Sequence, residues 1–291
     1  MAIVSRRVAR AAATEPCSVP ALGWPPLALV LRRVALAFVM ACLAPLAAHA
    51  APASPWAQGF HSRVRLVSGG MEGGRHLVGV EIELDRGYKT YWRSPGEAGL
   101  PPRFVWDGSA NAGALDLHWP APARTEDAGG VAFSYADRVI FPVRITPLRA
   151  GEPVRLHLAV DYGVCKDICI PANAELSLDL TGDETHRPRI EAALAAVPRP
   201  QPVGAPGPLA VLGIERQADG VSYRVRVRAP EGATLFAEGP ENWYLSTSPK
   251  PEDGAFTLTV DEKPKDAAGP IRVRLTLAAG GGGIETELAL P

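Results

Sequence analysis

Two cysteines, Cys165 and Cys169, stand four residues apart in the segment Asp161-Tyr162-Gly163-Val164-Cys165-Lys166-Asp167-Ile168-Cys169-Ile170-Pro171. Thiols so spaced can form a structural staple, share a metal ion, or exchange disulfides with another protein. A bridge closing so small a loop stabilises far less than the ~3 kcal/mol expected for a 15-residue loop, which weakens the staple reading. Two thiolates with no adjacent histidine, in a chain with only three Met, leave a zinc or copper site short of ligands. A short disulfide on a loop belongs to the exchangeable kind. Lys166 favours a thiolate at its neighbour and Asp167 opposes one. All three readings stay open on the residues alone, with exchange the one the spacing favours.

The segments around this pair alternate with the period of a strand. Arg75 to Asp85 places Leu77, Val80, Ile82 and Leu84 among polar residues, and Val139 to Ile145 behaves likewise. In Val154 to Val160 the apolar side chains share one face, with Arg155 and His157 on the other, the pattern of a half-buried antiparallel strand. Ala174 to Leu180 repeats it. One strand therefore runs into the cysteine segment and another leaves it, placing the pair on a tight excursion at one end of a β-sandwich over about Trp56 to Gly182. Between Asp183 and Pro208 the composition changes to one short helical stretch, Ile190 to Val197, followed by five prolines, which reads as a semi-stiff spacer. Alternation returns in Val221 to Val227, Phe256 to Val260, Ile271 to Leu277 and Ile284 to Leu290, with Gly280 to Gly283 as a hairpin turn. The expected fold class is all-β: a β-sandwich over residues 51–182, a spacer over 183–208, and a second, smaller β domain over 209–291.

Residues 1–50 differ in character, with five Arg, a single acid and long Ala/Leu/Val runs. Arg32 and Arg33, the apolar run Val34 to Ala47 and the small-x-small sequence Ala48-His49-Ala50 read as an export signal cleaved near Ala50, which places the mature protein in the periplasm. Two rival readings are a lipid anchor on Cys42, after a poor lipobox, and an uncleaved signal anchor. Cleavage removes Cys17 and Cys42, leaving Cys165 and Cys169 as the only thiols in an oxidising compartment. Residues 51–291 carry 25 basic and 30 acidic residues, no field for a phosphate backbone, so nucleic acid is excluded as a partner. Gly-x-Ser-x-Gly, His-Glu-x-x-His and Walker motifs are missing, and no motif calls for a cofactor. His61, His76, His118, His157 and His186 are scattered along the chain.

Gly163-Val164-Cys165 and Ile168-Cys169-Ile170-Pro171, following an alternating strand, resemble the active-site segment of the amino-terminal periplasmic domain of the DsbD family of thiol:disulfide interchange proteins. A second block, Gly87-Tyr88-Lys89-Thr90-Tyr91-Trp92-Arg93-Ser94-Pro95-Gly96-Glu97-Ala98-Gly99-Leu100-Pro101-Pro102, is similar to the variant that includes the suppressor-of-copper-sensitivity membrane reductases. The resemblance covers roughly residues 57–182, and the second β domain more loosely through Pro240-Glu241-Asn242-Trp243-Tyr244. It implies an immunoglobulin-like sandwich that takes electrons from a membrane-embedded thiol reductase and passes them to periplasmic thioredoxin-like or disulfide isomerase clients, in contexts such as cytochrome c biogenesis or copper tolerance. By the same resemblance Cys169, followed by x-Pro, is the attacking cysteine and Cys165 the resolving one. A cap loop aligned with Thr125 to Tyr135 would shield them, with Phe133 or Tyr135 as cover, unless these two rings simply pack in the core. The best-studied type has five residues between its cysteines, against three here. The chain also stops at Pro291, where full members continue into a multi-helix membrane domain and a thioredoxin domain, so a separate electron donor is expected. The alternatives are a β-sandwich adaptor whose disulfide only shapes a loop, and a copper- or zinc-handling protein.

Overall fold

The computed structural model describes residues 51–97, 99–127, 130–267 and 269–290. The export signal and the Cys42 lipidation alternative lie outside the described residues. Eleven strands come first: β1 (Ala57–Gly59), β2 (Ser62–Glu72), β3 (Arg75–Leu84), β4 (Lys89–Gly96), β5 (Arg103–Val105), β6 (Ala112–Leu117), β7 (Ala123–Asp127), β8 (Gly130–Ala136), β9 (Arg138–Pro147), β10 (Val154–Cys165) and β11 (Cys169–Leu180). Helix α1 (Arg187–Ala195) follows. Then come β12 (Arg199–Pro200), β13 (Ala210–Arg216), β14 (Ser222–Arg228), β15 (Thr234–Glu238), β16 (Tyr244–Thr247), β17 (Ala255–Glu262), β18 (Arg272–Ala279) and β19 (Gly282–Ala289).

The first eleven strands form two sheets. One has the order β1-β2-β3-β9-β6, and the other β11-β10-β4-β8-β7 with β5 also on β10. Their inner faces meet over Val64, Leu66, Val80, Ile82, Phe141, Val143, Leu156, Leu158 and Val160, the inward members of the alternating strands. The later strands form two four-stranded sheets, β12-β19-β18-β15 and β13-β14-β17-β16, around Val225, Leu235, Phe256, Leu258, Leu275 and Leu277. The fold is all-β, as expected. Among the described residues no helix is long and apolar enough to cross a membrane.

Within the stretch expected to act as a spacer, the helix and β12 are docked. Ile190 of α1 is fully buried with Val67, Leu77 and Ile140, on the outer face of the first sheet. Gly79 and Gly69 make room for it, since a Cβ on either would stand 3.0–3.2 Å from Ile190 side-chain carbons. Arg189 of α1 also reaches Glu81, a carboxylate with no solvent exposure that Arg65 (2.8 Å) and Arg138 (3.5 Å) contact as well. Arg199 and Pro200 then pair in parallel with Ile284 and Glu285. Pro198, between α1 and β12, is buried, whereas Pro200, Pro202, Pro206 and Pro208 are exposed.

Candidate functional site: a disulfide at a hairpin tip

Strands β10 and β11 pair without interruption from Val154↔Leu180 to Cys165↔Cys169, and only residues 166–168 turn beyond the last pair. The ladder itself brings the cysteines together, with Cα atoms 4.2 Å apart and a disulfide between them. They differ in access: Cys165 is 1% exposed, whereas Cys169 is open to solvent. Ile168, at the tip, is 71% exposed.

Along β10 burial alternates up to Asp161 and then stops alternating, since Tyr162, Gly163, Val164 and Cys165 are all buried. Tyr162 and Val164 face the core. Gly163 and Cys165 lie on the opposite face, covered by residues distant in sequence. Tyr91 of β4 forms a small buried cluster with Cys165 and Ala132, and its hydroxyl donates to Cys169 Sγ at 3.0 Å. The ring needs two glycines. A Cβ on Gly99 would stand 2.6 Å from Tyr91 ring carbons, and one on Gly163 would stand 2.8 Å from Leu100 Cβ and 3.3 Å from the Tyr91 ring. Gly96, at φ +88°, turns the chain out of β4, and the Glu97 amide then donates to the Val131 carbonyl at 2.9 Å. The Glu97 carboxylate accepts from the Val131 amide in return (3.3 Å), pinning the β7–β8 hairpin beside the site.

Phe133 and Tyr135 do not cover the cysteines. On β8, Ala132 and Ser134 face the disulfide side, so strand alternation turns Phe133 and Tyr135 inward. Phe133 packs on Trp92 and Phe236, and Tyr135 packs on Phe141 and donates to the Pro120 carbonyl at 2.7 Å. Burial raises the Tyr135 pKa well above the ordinary phenol value, in keeping with a core position. The cover comes from Tyr91, which lies inside the second sequence block but has no role there that its residue type would suggest. The Gly-Glu-Ala-Gly-Leu run after it is the signal that could have pointed to a ring needing space. On the other flank, His61 and Tyr88 stack at 4.2 Å with Phe60 against both, and Lys166 Nζ lies 5.9 Å from the Tyr88 ring centroid.

Beyond Tyr91 the β4–β8 ladder breaks. Tyr91 pairs with Ser134 but the next pair is Gly96↔Ala132, so Trp92, Arg93, Ser94 and Pro95 all stand opposite Phe133. This bulge faces the later strands. Phe236 of β15 joins the core of the first sandwich, with ring centroids 5.6 Å from Trp92 and 4.8 Å from Phe133. Arg93 lies over the Trp92 ring, donates to both carboxylate oxygens of Glu238 (2.9 and 2.7 Å) and also pairs with Glu285. Burial alone would lower the Arg93 pKa; hydrogen bonds to and the charges of Glu238 and Glu285 raise it instead, so the side chain stays charged. Neither Phe236 nor this ion pair was marked by the sequence. A cleft of about 1100 Å³ opens beside it, between Gly96, Glu97 and Arg124 on one wall and Trp243, Tyr244 and Asp261 on the other. Among the described residues, no three His, Cys, Asp or Glu side chains are grouped to hold a metal.

An immunoglobulin-like sandwich carrying a hairpin-tip disulfide defines the class, and the comparisons agree with it. Residues 63–181 match the family model of the N-terminal domain of the thiol:disulfide interchange protein DsbD. The structure is similar to the N-terminal periplasmic domain of ScsB from Proteus mirabilis. That match has a TM-score of 0.65 and 21% identity, and covers 82% of this chain and 98% of the other, so the likeness of fold extends through both sandwiches. Domains 5-6 of the S-layer protein SbsC also align over 81% of this chain and 97% of theirs, at 10% identity and a TM-score of 0.19, too low for a shared fold. No curated protein matches the chain.

Proposed function

We propose that the mature chain is a periplasmic thiol–disulfide interchange module that relays electrons from a membrane-embedded thiol reductase to oxidised periplasmic proteins of thioredoxin-like or isomerase type. The observation that carries this reading is the asymmetry of the pair: one sulfur buried, the other exposed at a hairpin tip with a hydroxyl donor on it. The family match over residues 63–181 supports it.

In the reduced protein Cys169, as thiolate, attacks a client disulfide. One client sulfur leaves as a thiolate and takes a proton, while the other is held in a mixed disulfide with Cys169. Cys165, deprotonated in turn, attacks Cys169 Sγ, forms the Cys165–Cys169 bond and releases the second client thiolate. The client gains two electrons and this chain loses two, which a donor dithiol restores by the reverse exchange. The exposure of Cys169 and burial of Cys165 suit the attacking and resolving roles respectively.

The test is the reduction potential of the pair, measured by equilibrating the protein in graded glutathione or dithiothreitol and trapping free thiols with a mass tag. A value between roughly −270 and −120 mV is expected. A value below about −300 mV, with no exchange toward thioredoxin-like proteins, would mark a structural bridge and overturn the proposal. A Cys165→Ser variant should accumulate the mixed disulfide on Cys169, and accumulation on Cys165 in Cys169→Ser instead would reverse the roles.

A further inference from the structure

We infer that Arg93 is a positioning residue for the thiol pair: by gripping Glu238 and Glu285 of the second sandwich it holds strand β4, and with it Tyr91, against Cys169. The inference rests on the exchange reading of the pair, which it extends to the second sandwich.

Three observations combine. Tyr91 contacts the exposed sulfur through its hydroxyl at 3.0 Å, so the ring's placement sets how well a thiolate at Cys169 is stabilised. The β-ladder cannot fix that placement from the C-terminal side, because pairing with β8 stops at Tyr91 and resumes only at Gly96. On the other neighbour, β10, β4 pairs through Lys89↔Cys165, two positions before Tyr91. Besides Phe133 of β8 against Trp92, the residues just after Tyr91 are held from β15 and β19. Trp92 packs on Phe236, and Arg93 is fixed by a two-point bond to Glu238, a further bond to Glu285 and its seat over Trp92. A bidentate guanidinium–carboxylate pair that is mostly out of solvent fixes orientation as well as distance. The second sandwich thereby bears on the chemistry without touching either sulfur.

The test uses the complete mature chain. Arg93→Gln, Arg93→Lys and Glu238→Gln are compared with Arg155→Gln, which breaks the exposed Arg155–Asp179 pair at the far end of the same hairpin. Two quantities are read: the pH profile of Cys169 alkylation in the reduced protein, and the equilibrium constant of the pair with glutathione. Arg93→Gln should change the alkylation rate at neutral pH by at least about threefold and move the profile toward higher pH, with Arg93→Lys less affected and Arg155→Gln unchanged. A folded Arg93→Gln with the wild-type profile and equilibrium constant would overturn the inference, as would an equal shift in Arg155→Gln. Should Arg93→Gln fail to fold, Glu238→Gln, which keeps the side chain's shape, decides the question by the same criteria. A wild-type pair that does not equilibrate with glutathione defeats the exchange reading instead, while the alkylation profiles still judge Arg93.

Discussion

At the scale of single residues, the exposed sulfur answers to one hydroxyl and two missing methyl groups. Tyr91→Phe removes the donor from Cys169. Hydrogen bonds to charged groups contribute about 1.5–3 kcal/mol, so the thiolate pKa of Cys169 should rise and its alkylation at neutral pH slow by roughly tenfold, read by iodoacetamide kinetics. Gly99→Ala and Gly163→Ala should each destabilise the protein by about 1–3 kcal/mol in urea unfolding, because the added Cβ meets the Tyr91 ring or Leu100 at under 3 Å. The cysteine pair was legible from residue types alone, since few arrangements suit two thiols four residues apart. The hydroxyl and the glycines were not, because their meaning depends on which ring lies against which backbone across 72 positions of chain, from Tyr91 to Gly163.

At the scale of elements, period-2 patterning marked β10 and β11 well, because each buries one face along most of its length, and it marked β3 and β9 although both of their faces are largely covered. It was misleading at the end of β10, where the outer face is covered by Tyr91 and Leu100 rather than by solvent. Strand β8 shows the reverse case. Val131, Phe133 and Tyr135 alternate plainly, yet the resemblance left both a covering and a core position open for Phe133 and Tyr135. The helix was visible as an Ala-rich stretch, but its docking was not, since it depends on Ile190 finding a seat over Gly69 and Gly79. Glu81 makes that docking testable. Glu81→Gln leaves Arg65, Arg138 and Arg189 without their shared carboxylate and should cost on the order of 3 kcal/mol, seen as a lower urea midpoint.

At the scale of the whole molecule, Phe236 occupies a core that the other sandwich builds. Phe236→Ala should therefore cost about 3–5 kcal/mol and lower the melting of both sandwiches in one calorimetric transition. Acid should weaken the protein in two separate windows. His76, His118 and His186 have pKa values lowered, first of all by burial, below the ordinary histidine value of 6.5. Between their folded values and 6.5 the unfolded chain binds more protons, so stability rises with pH there and is lost on acidification from neutral. Glu83, held down by Arg63 and Arg138 against the opposing effect of burial, acts only below about pH 4.5. Urea midpoints at pH 5.5 and 7.5 should differ in the wild type and differ less in His76→Gln.

The unbroken β10–β11 ladder bears on what reduction does to the protein. Eleven further pairs keep the strand ends adjacent once the sulfurs part, so the two thiols remain at very high effective concentration and reclosure requires no search through chain conformations. Opening the bond then resembles unfastening a clasp on a seam that is already sewn. Oxidised and reduced forms should share one architecture and nearly one melting temperature, leaving the couple free to cycle without the fold having to follow.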